Sequence, residues 1–206
     1  MKEEEIIPTI LLPQNLTIEL DQIDIGSPIS KNEIDLILSN LRRKKFAHYI
    51  MVKFLFLTGA TLSELTNLRI ANVTTNKSRC LIVPNEKLKQ RVIHFDEGFA
   101  KELDRYIFNY PKNEFLFPGR NGKCSLRSLQ KILKEVGNWI SKEINGNQIR
   151  DFIAHHLYQR GFPIWEIQEF LGHRSALSTK ERIQTVLPTV EFDPLRLFTS
   201  PENKAA

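Results

Sequence analysis

Apolar residues along this chain follow two periods, and the change between them divides the molecule. In "KNEIDLILSNLRRK", residues 31–44, Ile34, Leu36, Ile37 and Leu41 fall on one side of a helix. Ser30 precedes it with Glu33 three residues on, a capping-box pattern. "FAHYIMVKFLFLTG" is apolar nearly all round, which predicts a buried helix ended by Gly59. "TLSELTNL" follows as a short third helix. The period then drops to two. "RIANV", "RCLIV" and "RVIHF" predict three short strands, joined as a meander through "TTNKS" and "PNEKLKQ". Helical spacing returns in "DEGFAKELDRYIFNY", with Asp96 as a start signal. "NEFLFPGRNGKC" reads as an extended piece and a Gly-rich turn. Three more helices are expected, in "SLRSLQKILKEVGNWISK", "NQIRDFIAHHLYQRG" and "PIWEIQEFLG". Ser125 would cap the first, Gly161 close the second, and Pro163 and Gly172 bound the third. Trp165 and Phe170 read as core. The expected fold class is mainly α with a small antiparallel β-sheet near the middle, an α+β domain.

Punctuation by Pro8, Pro13, Gly26 and Pro28 sets residues 1–29 apart as a leader, in which "LTIELDQIDI" alternates as an edge strand would. Residues 30–187 form the expected domain. Residues 188–206 form a tail in which "PLRLF" is a candidate docking helix.

Charge changes this picture by suggesting a partner. Residues 1–40 carry two lysines against eight acids, so the remaining 166 residues hold a net +11. A basic body behind an acidic leader favours a polyanion, and the leader could cover the basic face. No apolar run is long enough for a membrane span, and acids stand where a signal peptide would be basic. Cys80 and Cys124 lack metal-ligand spacing and suit a reducing cytoplasm. His155 and His156 have no Cys or acid at ligand spacing, so no metal site is expected.

Four segments, in order, resemble the catalytic domain of the tyrosine recombinases, the phage-integrase family. "LTGATLSELTNL" resembles the first box, "EFLFPGRNGKCSLRSLQKILKEVG" the Leu-Phe-Pro strand with its turn and helix, and "NQIRDFIAHHLYQRGFPIWEIQEFLGH" the second box. "LSTKERIQTV" resembles the run that carries the nucleophile. The resemblance implies that family's fold and its chemistry on double-stranded DNA. There, a Tyr hydroxyl attacks a phosphodiester, two arginines clamp the phosphate and a hairpin Lys protonates the leaving oxygen. Energy is held in the covalent bond, so no cofactor is implied.

Carried over residue by residue, the pattern is incomplete. The first Arg falls on Thr61 and the box-two His on Asn147. Arg150 and His173 match the second Arg and the Leu-Gly-His histidine, and Asp151 stands where a second His is common. The Tyr falls on Ile183 when aligned by Leu-Ser-Thr, or on Arg182 when no insertion follows His173. Either Lys87 or Lys89 matches the hairpin Lys. Arg150 is a phosphate ligand, or else a salt-bridge partner of Asp151 or Glu64. His173 touches DNA, or else only caps a helix. Glu64 reads as a tie between its helix and its neighbours. Arg42, Arg43, Lys44 and Lys45 form a candidate backbone patch, and Arg120, Lys123 and Arg127 flank a turn able to meet phosphates.

The sequence therefore predicts that the chain is not an enzyme. The expectation is a catalytically inactive, recombinase-like DNA-binding protein, regulatory or accessory on a mobile element and cytoplasmic. One alternative is an interaction module that self-associates or joins a recombinase through its C-terminal segment. Another is a strand-transferase with a displaced nucleophile.

Overall fold

The computed structural model describes residues 16, 18, 28–84, 88–109, 113–120 and 122–186, and among these described residues eight α-helices and five short strands follow in the order the hydrophobic pattern sets. The helices are α1 (Lys31–Lys44), α2 (Phe46–Thr58), α3 (Leu62–Asn67), α4 (Glu97–Phe108), α5 (Leu126–Trp139), α6 (Gly146–Gln159), α7 (Ile164–Leu171) and α8 (Ala176–Val186). The strands are β1 (Val73–Thr74), β2 (Arg79–Ile82), β3 (Arg91–His94), β4 (Pro118–Gly119) and β5 (Gly122–Lys123). The fold class is mainly α with small antiparallel sheets, as expected.

The capping chemistry forms where the sequence places it. Ser30 accepts from the Glu33 amide, and the Glu33 carboxylate accepts from the Ser30 amide at 2.8 Å. Asp96 caps α4 through the Phe99 amide, and Ser125 caps α5 through the Ser128 amide. Gly59 ends α2 in the left-handed region at φ 60°.

Helix α2 is the centre of the core, packing on α1, α4 and α6. Its aromatic rings meet others edge-on, Phe54 against Phe117 and Phe56 against Phe152. The one charge inside this apolar helix, Lys53, is neutralised within the fold. Its ammonium lies 2.7 Å from Glu102 of α4 and 3.1 Å from the Tyr49 hydroxyl. Burial alone would lower the Lys53 pKa, but these contacts hold it above the ordinary value.

The meander is a three-stranded antiparallel sheet ordered β1-β2-β3, in register Cys80 to Ile93 and Leu81 to Val92. "RIANV" is less strand-like than expected, because Ile70–Asn72 form a 3-10 turn and only Val73–Thr74 pair. The Gly-rich turn after the Leu-Phe-Pro piece is itself a hairpin, with β4 paired to β5. Trp165 departs from the core expected of it: it is 40% exposed, whereas Phe170 is fully buried. Leu16 and Ile18 of the leader are buried in the core, so at those two positions the leader belongs to the fold. The candidate docking helix in residues 188–206 and Lys87 lie outside the described residues. Among the described residues, no helix is long and apolar enough to cross a membrane.

Candidate phosphate site

The first turns of α3 and α6, the turn after α7 and one face of α8 meet around an open cavity of about 600 Å³. Arg150, Arg182, Asp151 and Glu181 carry its charge, and His173, Thr61 and Asn147 also line it.

Arg150 projects from α6 and is 2% exposed. Its guanidinium donates to the carbonyls of Gly59 and Leu171 and meets His173 Nε2 at 2.7 Å. All three partners are neutral, and its Nε has no partner. The two carboxylates that the sequence offered as partners are engaged elsewhere, Glu64 with Arg91 and Asp151 with Arg182. Burial, with the charges of Arg182 and Arg91, pulls the Arg150 pKa down to about 9, so the group stays cationic at neutral pH. The hydrogen bonds of this buried cation all go to neutral acceptors, on the wall of an open cavity, an arrangement able to attract an anion.

The partners of His173 fix its tautomer. Its Nε2 faces Arg150 at 2.7 Å and Arg182 Nε at 3.3 Å, and guanidinium groups can only donate. Nε2 is therefore the acceptor, and Nδ1 carries the proton towards Thr179 Oγ1 at 2.8 Å. Burial and the surrounding arginines push the His173 pKa down to about 3, so the ring is neutral across the physiological range. Of the two sequence readings of His173, the helix cap is the one the fold displays. Its backbone amide caps α7 by donating to the Gln168 carbonyl, while its side chain faces the site.

A second set of contacts holds the floor in place. Glu64 closes a capping box with Thr61 and forms an ion pair with Arg91 of β3 at 2.7 Å, both side chains 2% exposed. It ties α3 to the sheet. Beside it, Lys89 donates its backbone N–H to the Gly172 carbonyl and its ammonium reaches Glu169 at 2.6 Å. Gly172 sits at φ 70°, and a Cβ there would come within 2.7 Å of Arg91 Nη1 and 3.0 Å of the Lys89 carbonyl oxygen. Gly172→Ala is therefore expected to cost more than the roughly 1–2 kcal/mol of left-handed backbone strain alone. A urea titration of the two proteins measures it, and equal midpoints would refute the crowding.

The remaining sequence candidates separate. Thr61 caps α3, which accounts for a hydroxyl there. Asn147 accepts from Arg182 through its carbonyl and side-chain oxygens, at 3.4 and 3.3 Å. Ile183 is fully buried, turned with Thr179 into the core, so it does not belong to the site. Of the two positions the alignments offered for the tyrosine, the one that lines the cavity is Arg182. Helical geometry explains the exchange, because adjacent positions point about 100° apart. The Arg42–Lys45 cluster is not one free patch. Arg42 pairs with Glu102, Lys44 pairs with Glu135 and lies over Trp139, and Arg43 bonds Asn40. Lys45 instead joins Arg120 and Lys123 on a separate groove of about 730 Å³, and Arg127 is exposed nearby on α5. Sequence reasoning missed Arg91, whose partner lies 27 residues away and leaves no local signal. Arg182 carried a signal in its distance from His173.

The family model "Phage integrase family" matches residues 28–183. The tyrosine recombinase XerA of Pyrococcus horikoshii is 27% identical over 183 residues, covering 86% of this chain and 60% of that one. A crystal structure of XerA recombinase superposes with a TM-score of 0.69 at 23% identity, covering 78% of this chain and 62% of that chain. XerH site-specific recombinase bound to difH substrate gives 0.65 at 20% identity, over 91% and 53%. The chain spans little more than half the length of the curated relatives it matches. These findings correct one expectation. The sequence alone predicts a non-enzyme, whereas the relatives bear the names of tyrosine recombinases, which are enzymes. With its boxes gathered around one cavity and the family model matching most of its length, the chain belongs to the phage integrase family.

Proposed function

We propose that this chain binds duplex DNA as a recombinase-family domain, with one backbone phosphate seated against Arg150 and His173. The observation that carries this reading is the buried Arg150 guanidinium, open to the cavity and held by neutral acceptors alone. A guanidinium fork matches phosphate oxygens, and low surrounding polarity strengthens the contact. The XerH relative, solved on its difH substrate, supports DNA as the ligand class. Lys45, Arg120 and Lys123 would meet further phosphates.

Fluorescence anisotropy with a labelled duplex tests this. Affinity should fall steeply with salt, and Arg150→Gln should weaken it by the worth of one charge-assisted contact, about 1.5–3 kcal/mol or roughly ten- to hundredfold. Arg150→Lys keeps the charge without the fork and should fall between them. No binding by the parent protein at low ionic strength would sink the reading.

A second reading, that the chain also cleaves DNA through a displaced nucleophile, is favoured by the exposed alcohols of Ser178 and Thr185 on the cavity wall. An alcohol oxygen would bond to phosphorus as the P–O5′ bond breaks, the alcohol's proton passing in net to the departing 5′-oxygen, which leaves a 3′-phosphoester on the protein and a free 5′-hydroxyl. A nicked suicide duplex run on a denaturing gel detects the adduct. Its dependence on Ser178→Ala or Thr185→Val would assign the atom.

A further inference from the structure

Two guanidinium groups converge on one nitrogen at this site. Arg150 Nη2 and Arg182 Nε lie 2.7 and 3.3 Å from His173 Nε2, which offers a single lone pair. Both arginines cannot be well satisfied by it, and the longer contact belongs to Arg182. The rest of the Arg182 fork rests on Asp151 at 2.5 Å and on the two oxygens of Asn147. Its side chain is 22% exposed, so it can turn without disturbing the core. Glu181, the other acid on the cavity wall, is exposed and solvated at the rim.

We propose that Arg182 is a second phosphate-binding arginine, which leaves Asp151 and Asn147 to grip, together with Arg150, the backbone phosphate of bound DNA. This rests on the reading of the cavity as a DNA phosphate site. Thr61 brings no charge to the wall of α3, and Arg182 of α8 supplies a guanidinium from the opposite side. Without DNA, Asp151 neutralises it. A phosphate oxygen, with several lone pairs and a negative charge, can accept from both forks where one imidazole nitrogen cannot.

The test is the slope of log affinity against log salt for the full chain on a labelled duplex, since that slope counts phosphates engaged. Arg182→Gln should lower the slope by about 0.9 and weaken binding roughly five- to tenfold near 0.1 M salt. Arg182→Lys should recover the slope but only part of the affinity. Asp151→Asn, which retains Arg182 and frees it, should tighten binding. Thermal melts confirm that each variant is folded. An unchanged slope in Arg182→Gln overturns the proposal, as does unchanged or weaker binding in Asp151→Asn. A parent protein that fails to bind DNA at all defeats the underlying reading instead. The two failures are thus distinct.

Discussion

Glu64→Ala should destabilise the protein by about 3–5 kcal/mol, the range for removing one partner of a buried ion pair. The loss is large because Arg91 is 2% exposed and would be left as an uncompensated buried cation. Its Nε has no partner even in the intact fold, so Glu64 supplies the side-chain contacts its guanidinium makes. The same substitution removes the carboxylate that accepts from the Thr61 amide, opening the capping box of α3. Set against the roughly 5–15 kcal/mol that hold an ordinary domain together, this approaches unfolding. Chemical denaturation of the two proteins measures the difference. Replacing both partners by apolar residues of similar size, Glu64→Leu with Arg91→Met, should recover most of the loss, because no charge is then stranded. A single variant within about 1 kcal/mol of the parent would show that water reaches Arg91 and that the pair is not buried in solution.

The second large effect is a loss of stability in acid that depends on His173. Its folded pKa lies at about 3, pushed down by burial and by Arg150, Arg182 and Arg91, against an ordinary 6.5. Between those values the unfolded chain binds a proton that the folded chain refuses. Stability therefore rises with pH through this window and is lost as pH falls below about 6.5, by roughly 1.4 kcal/mol per unit for one proton. By pH 5 the accumulated loss from this residue is about 2 kcal/mol. Glu64 acts in the same direction. Burial would raise its pKa, but Arg91 holds it below the ordinary value, so its contribution is present at neutral pH and lost on acidification. His173→Gln separates the two, since Gln can accept from Arg150 and donate to Thr179 without titrating. Its denaturation midpoints should decline more shallowly than the parent's between about pH 6.5 and 5. Parallel declines would mean that protonation of His173 is tolerated in the fold.

Local chemistry made some parts of this molecule readable from sequence. Ser30, Asp96 and Ser125 start their helices because side-chain oxygens three residues before an orphan amide do so in most contexts. Arg150 and His173 stand out through the resemblance of their segment to the family's second box, and both reach the same cavity. The failures share a different cause. Ile183 and Arg182 are neighbours, and one residue of register after His173 decides which faces the core. The Leu-Ser-Thr register gives Ile183, which is buried, and the ungapped register gives Arg182, which lines the cavity. The Arg42–Lys45 cluster looked like a patch because sequence shows adjacency, not the carboxylates of Glu102 and Glu135 brought from other helices. Arg91 gave no sign of its burial, since an arginine opening a strand is ordinarily solvated.

Strand β3 and the residues leading into it join parts of the cavity that are far apart in sequence. Arg91 holds α3, and Lys89 holds the turn carrying His173. Entropically, the main chain around the cavity is thereby held before any ligand arrives. Association then need not freeze a loop, and its conformational cost falls mainly on the rotamer of one half-buried side chain, Arg182. Such a cavity would discriminate by shape and charge rather than by adapting to what enters it.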